Sequence, residues 1–277
     1  MSIFTAREVL LTISYQKKGR WEEIYSHIKE KKPISKEETL EAFAKTQANF
    51  ITIVDSEYPN SLKGIFKPPF VLYYYGNPSL LNEPYRLTAV GSRNPTIYQN
   101  DTSYRLIKEL ENSMEKKVVI VSGMAKGIDA TMMKAAKDTG SPIISVIASG
   151  IDKPYPKEND GIYDYCKEGK GLVLSEYPLD TEAKPQNFLF RNRILAALSP
   201  SMFIGAGKKK SGTNNSVYWA MSFGKNILTL PCNQNLDDPE LTNELLKQGA
   251  EPVLSSNDLK LELLQTGKIE MAGKKHS

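Results

Sequence analysis

Histidine is nearly missing from this 277-residue chain, which has only His27 and His276. So small a supply argues against a Ser-His-Asp triad and against a His-ligated metal site, and both imidazoles are expected to face solvent. Cysteine is just as scarce. Cys166 and Cys232 lie far apart without C-x-x-C spacing, which points to neither a zinc site nor a disulfide framework and makes a reducing, cytoplasmic setting the default. Long apolar runs are also lacking. No segment approaches the roughly 20 apolar residues needed to cross a bilayer, and Arg7 and Glu8 interrupt the amphipathic start, unlike a signal peptide. No membrane insertion is expected. Two nucleotide fingerprints are absent as well. G-x-G-x-x-G does not occur, and Gly207-Lys208 fails as a P-loop because Lys209 follows and Met202 stands at the first glycine position.

What the chain does have is a βαβ rhythm. Short apolar runs, mostly rich in β-branched residues, occur at Leu87–Val90, Val118–Val121, Ile143–Ile147, Leu172–Leu174, Met202–Ile204 and Ile227–Leu230. Helix-length segments separate most of them, which predicts an α/β fold with a parallel sheet covered on both faces. Residues 1 to about 60 read differently, as short helices over Ala6–Tyr15, over Trp21–Glu30 and after Ser35, where Ser35 and Glu38 fit a capping box. The turn-rich stretch from Asp55 to Pro69 joins the two parts. The expected organisation is therefore a small helical domain over 1–60, a linker and start of the core over 61–80, the sheet domain over 81–256, and a C-terminal helix and tail over 257–277. Residues 267–277 are expected to fray.

In an open parallel sheet, ligands bind beyond the carboxyl ends of the strands, and here those positions are rich in small and cationic residues. They read Gly91-Ser92-Arg93, Ser122-Gly123-Met124-Ala125-Lys126-Gly127, Ala148-Ser149-Gly150-Ile151-Asp152-Lys153, Ser175-Glu176-Tyr177-Pro178 and Gly205 to Thr213, the last including Lys208-Lys209-Lys210. Glycines admit an anion close to the backbone, and N–H groups at a helix start point outward. The turns together predict a shared anion-binding rim. The net charge of +4 and pI of about 8.8 are compatible with a nucleic-acid partner without requiring one. Asp129 either supports its turn or acts as an acid or base, and the turn role is favoured. The segment Pro185 to Ile194 combines aromatics with Arg191 and Arg193, which suit either phosphates or structural carboxylates.

In order, these motifs resemble the DprA/Smf family, the DNA-processing proteins of bacterial natural transformation. The resemblance rests on Val90 to Arg93, Ser122 to Ala130, Tyr155-Pro156 with Asn159, Ser175 to Pro178, Arg191-Asn192-Arg193 and Lys210 to Thr213, and spans about residues 55 to 250. It implies an extended Rossmann-like domain preceded by a small SAM-like helical domain. It also implies single-stranded DNA binding, self-association as a homodimer, and loading of the recombinase RecA, with no cofactor. By motif match, Arg93 and Lys153 become DNA-phosphate contacts, and Gly91, Ser92, Ser122, Gly123 and Gly127 form a backbone cradle around them. Lys126, Asn159, Arg191, Arg193, Lys210, Ser211, Gly212 and Thr213 complete the expected DNA-binding set. Dimer contacts are expected around Leu241 to Glu251, Tyr155 and Phe188 are candidates for base stacking, and no C-terminal winged helix is expected.

The sequence departs from the family pattern at Ala130-Thr131-Met132-Met133, which lacks the usual histidine, at Phe203-Ile204-Gly205-Ala206, and at Pro231-Cys232. A rival reading is a phosphoribohydrolase acting on nucleoside monophosphates. In that motif a glutamate acts in hydrolysis, and here the position is Ser216, so no enzyme activity and no catalytic residue are expected. A small-nucleotide sensor on the same fold is the remaining alternative.

Overall fold

A computed structural model of the chain describes residues 4–233 and 240–274. It opens with three helices, α1 (Ala6–Gln16), α2 (Trp21–Lys29) and α3 (Lys36–Lys45). Reciprocal capping boxes start α1 at Thr5 with Glu8 and α3 at Ser35 with Glu38, satisfying N–H groups that the first helical turn leaves open. The helical region is not a detached appendage. Leu10 and Leu11 of α1 join the main hydrophobic core with Val71 and Tyr73, and the Tyr73 hydroxyl donates to Ser14 Oγ at 3.0 Å. His27, expected at the surface, is buried, with Nε2 3.2 Å from the Lys32 carbonyl oxygen. It sits three residues after buried Ile24 and so shares the inward face of α2. His276 lies outside the described residues.

The remainder alternates strands and helices: β1 (Asn49–Thr52), α4 (Asn60–Lys63), β2 (Val71–Gly76), β3 (Arg86–Val90), α5 (Ile97–Ser113), β4 (Val119–Ser122), α6 (Ile128–Asp138) and β5 (Ile143–Val146). Then come α7 (Asp160–Tyr165), β6 (Gly171–Ser175), α8 (Pro185–Leu198), β7 (Ser201–Ile204), α9 (Gly212–Ser222), β8 (Asn226–Thr229), α10 (Glu240–Lys247), β9 (Glu251–Pro252) and α11 (Ser256–Lys274). The strands form one sheet in the order β1-β2-β6-β5-β4-β3-β7-β8-β9. β1, β2 and β6 pair antiparallel, and β6 through β9 run parallel. All six strands expected from apolar runs are present. Residues 49–52, which fall in the segment read as helical, instead form the edge strand β1.

Side chains alternate across the sheet with period two. Leu87, Ala89, Ile120 and Ile143 face the core shared with α5, α6, α7 and α11, whereas Val90, Val119, Val121 and Ile144 face the core shared with α4, α8, α9 and α10. A three-layer α/β fold results. Strand order proceeds outward from β3 through β4 and β5 in one direction and from β7 through β8 in the other. The order in which strands are added thus reverses between the parallel strands β3 and β7, the kind of switch point that opens a crevice beyond the strand ends. At the opposite end, α11 continues through residues expected to fray. Its Glu270 holds buried Arg86 at 2.7 Å, and Arg86 Nε donates to the Leu198 carbonyl at 2.7 Å. Residues 275–277 lie outside the described residues. Among the described residues no helix is long and apolar enough to cross a membrane.

One core acid sets a pH dependence. Glu111, near the end of α5, is buried, accepts the Val118 N–H at 3.2 Å, and is pushed up to about 7 by burial. Between the unfolded value of 4.5 and about 7, the folded chain therefore holds a proton that the unfolded chain releases. That contribution is complete below the unfolded value and is lost as pH rises through 7, to a total of up to about 3 kcal/mol. Glu111→Gln should match the parent melting midpoint near pH 4.5 and exceed it by several degrees at pH 8. An equal gap at both pH values would contradict this.

Candidate nucleic-acid interface

A cleft of about 840 Å³ lies beyond the β3 and β7 strand ends. Gly91, Ser92 and Arg93 line one wall and Lys208, Ser211, Gly212 and Thr213 another, with Arg191 of α8 also contributing. Seven residues of the expected DNA-binding set thus meet in one crevice: Gly91, Ser92, Arg93, Arg191, Ser211, Gly212 and Thr213.

Beneath them the glycine turns are arranged around a carboxylate that belongs to the protein. Asp129 Oδ1 accepts the Gly91 N–H at 3.1 Å, and Oδ2 accepts the Gly123 N–H at 3.2 Å. One side chain therefore ties the turn after β3 to the turn after β4. Burial pushes the Asp129 carboxyl up, while the charge of Arg191 and the N–H groups of Gly91, Ala125 and Gly123 oppose the shift. Two oxygens that both accept are the pattern of an ionised carboxylate. Arg191, itself buried, donates to the Val146 carbonyl. Its guanidinium lies so close to Gly123 that a Cβ there would stand 2.5 Å from Nη1. Burial lowers Arg191 to about 10, still cationic at neutral pH. Gly127 has φ +76°, and its Cβ would fall 2.3 Å from the Ser92 carbonyl oxygen. That carbonyl accepts the Ile128 N–H at 3.0 Å, so the start of α6 is tied to the protein's own backbone.

The start of α9 is the helix end that the cleft presents. Ser211 caps it, accepting the Asn214 N–H at 3.3 Å and donating to the Lys208 carbonyl at 2.6 Å. Asn192 of α8 fixes its position by donating to the Gly212 carbonyl at 3.2 Å and to Asn215 Oδ1 at 3.1 Å. The exposed lysine run Lys208 to Lys210 precedes it, adding cations to the positive end of a helix dipole. Across the cleft, the exposed Arg93 guanidinium lies 5.5 Å from the Phe188 ring centroid, and Phe188 meets Tyr155 edge-on at 5.9 Å. A fixed cation beside aromatic rings can take a phosphate and a base face together.

Other residues of the expected set serve elsewhere. Arg193 is fully buried, and its Nη1 and Nη2 contact Glu176 Oε2 and Oε1 at 2.6 and 2.8 Å, while Nε donates to the Lys67 carbonyl at 2.9 Å. It braces α8 against the loop after β6 and has no face for DNA. Ser122 is buried and donates to the Ala89 carbonyl at 2.6 Å. Gly123 is covered by Arg191. Asn159, also buried, holds the Met124 carbonyl at 2.8 Å, where Met124 has φ +57°, an uncommon conformation for a side-chain-bearing residue. Gly127 serves by backbone shape. Lys126 pairs with Glu158 at 2.6 Å, and Lys153 pairs with Glu182 at 2.6 Å and Asp180 at 3.6 Å. These are exposed pairs with little energetic weight. Sequence reasoning assigned no task to Asn192, although it lay inside the quoted Arg-Asn-Arg motif.

The geometry defines a Rossmann-like protein with a cationic, aromatic-edged cleft at its switch point. The chain belongs to the family of DNA recombination-mediator protein A, whose model matches residues 49–264. DNA processing protein DprA of Bacillus subtilis is 35% identical over 226 residues, covering 81% of this chain and 74% of that protein. The X-ray structure of DNA processing protein A from Streptococcus pneumoniae superposes with a TM-score of 0.73 at 28% identity, covering 94% of each chain. The Helicobacter pylori protein, described for its single-stranded DNA binding mode, superposes with a TM-score of 0.68 at 30% identity, covering 80% of this chain and 98% of that one.

The two arginine classes should separate in denaturant titrations. Arg193→Ala, which strands the buried Glu176 carboxylate, should lose about 3–5 kcal/mol of stability, whereas Arg93→Ala should stay within about 0.5 kcal/mol of the parent. Similar losses from both would contradict the assignment of Arg193 as a brace.

Proposed function

We propose that this chain binds single-stranded DNA in the switch-point cleft as a non-enzymatic recombination mediator. The observation that carries this reading is the placement of Arg93 over Phe188, facing the lysine-led start of α9 across a cleft of about 840 Å³. In this account Arg93, Lys208, Lys210 and the capped start of α9 take backbone phosphates, and Phe188 and Tyr155 offer ring surfaces to bases. Gly91, Ser92, Ser211, Gly212 and Thr213 shape the wall, and Lys126 and Lys153 act at the outer rim by exchanging their carboxylate partners for phosphates. Contacts of this kind carry little base information, which suits a protein that must accept any incoming strand. The H. pylori relative's single-stranded DNA binding supports the same ligand here.

We assign the remaining steps in line with the family. The chain loads RecA onto incoming strands during transformation, in the cytoplasm, and self-associates as a homodimer. The terminal strand β9 and the exposed Leu254 and Leu261 beside it suit that last role. A binding rather than hydrolytic role is supported by how the cleft's carboxylates are used. Asp129 is engaged by backbone N–H groups, and Glu182 is paired with Lys153. Ser216, at the position of the hydrolase glutamate, is buried and donates to the Gly212 carbonyl.

Arg93→Ala should weaken single-strand binding to a similar degree across sequences and reduce the slope of log K against log salt by about 0.7, one phosphate contact's worth. An unchanged slope and affinity in the folded variant would reject the cleft as the site. Incubation with nucleoside monophosphates should release no free base above a buffer blank, and release abolished by Arg93→Ala would overturn the non-enzymatic reading.

A further inference from the structure

The first turn of α9 lines the cleft through Gly212, Thr213 and Ser216, and Asn215 is bonded to Asn192. One turn beyond Asn215 on the same helix face stands Trp219, about 10 Å along the axis from Gly212. Trp219 does not stand alone. Its ring stacks with Phe66 at 5.7 Å and 16° and with Phe223 at 5.7 Å and 25°, and Tyr218 meets it edge-on at 5.3 Å. Phe66 is 54% exposed and Tyr218 62%. Lys67 continues the surface, with Nζ 4.9 Å from the Phe66 centroid and 5.5 Å from that of Trp21. Trp21 in turn stacks on exposed Tyr25 at 5.0 Å and 13°. Glu22 pairs with Lys67 and holds the ammonium between the rings.

The rings and the cation come from three separate segments, α2, the loop before β2, and α9, and all are tied to the cleft. Trp21 Nε1 donates to the Pro68 carbonyl at 2.8 Å, and the Lys67 carbonyl accepts from Arg193 at 2.9 Å, in the helix that also carries Arg191. A ledge whose exposed rings, Phe66, Tyr218 and Tyr25, are backed by the half-buried Trp219 and Trp21, with a lysine between them, has the composition of a base-stacking platform. We propose that this ledge, centred on Phe66, Trp219 and Tyr218, is a second stacking site for single-stranded nucleic acid. It receives the bases of a strand that leaves the cleft along α9. The proposal rests on the reading of the cleft as the primary single-strand site.

The chain's two tryptophans, Trp21 and Trp219, both stand on this ledge and supply a direct probe. The full chain is titrated with oligothymidylates of roughly 4 to 40 nucleotides, a range that brackets typical single-strand site sizes. Tryptophan emission and the anisotropy of labelled strands are followed in parallel. Strands that fill only the cleft should bind without quenching. Beyond a threshold length, quenching should set in together with a gain in affinity of about tenfold. The Phe66→Ala/Tyr218→Ala double variant, checked for an unchanged melting midpoint, should keep the short-strand affinity and lose the gain, whereas Arg93→Ala should weaken every length. Intact short-strand binding with no emission change at any length, or a gain that survives the double variant, would overturn the ledge and leave the cleft standing. A concentration-dependent emission shift without DNA, with the length gain unaffected by the double variant, would assign the ledge to a second copy of the chain and equally overturn it. Absence of binding at all lengths would remove both readings.

Discussion

The cleft depends on a buried pair of opposite charges. Asp129 accepts N–H bonds from the turns after β3 and β4, and Arg191 lies against Gly123, its charge opposing the upward push that burial gives that carboxyl. Two strand ends and α8 are thereby held in one geometry by groups that are almost wholly buried at the cleft floor. Neither partner can be lost alone without stranding a charge in a low-dielectric site. The arrangement also explains where an external anion must go. The innermost N–H groups already serve an internal carboxylate, so in the proposed reading phosphates are left to Arg93 and to the start of α9, farther out.

A second buried pair, Arg193 with Glu176, does similar work two residues along α8, on the other side of the helix. Its third donor, Nε, reaches the Lys67 carbonyl and connects α8 to the loop that meets α2. The N-terminal helices, the loop before β2 and the cleft wall consequently share one hydrogen-bonded framework. Cations within this protein therefore divide by burial. Arg191 and Arg193 organise the fold, and the exposed Arg93 and Lys208 give the cleft its outward charge, while Lys209 pairs with Glu244 at 2.9 Å.

Much of this was legible in the sequence because the central strands are buried on both faces, and continuous β-branched runs have few other homes. β3 through β8 announce themselves in this way. β2 does not, because Tyr73-Tyr74-Tyr75 follows a proline turn and borders the antiparallel edge, and β9 is only two residues long. The Ser35 and Glu38 capping box was readable because it is local in sequence. The glycine turns were readable as places of close approach, but a glycine does not name what approaches it. At Gly123 it is a guanidinium, and at Gly127 the Ser92 carbonyl. For Arg193 the sequence left phosphate and carboxylate roles open, because its carboxylate partner is 17 residues away, a pairing that only the tertiary fold creates. Asp129 fared better, since a carboxylate at a helix start has an ordinary structural task.

The measurement that tests the account most directly is the anisotropy of labelled oligonucleotides, single- and double-stranded, from one to several tens of nucleotides across a salt series. An outer rim that collects phosphates one by one predicts affinity that rises with single-strand length and falls steeply with salt. Tight binding of mononucleotides with no gain from added length would contradict it and make the cleft a pocket for a small nucleotide.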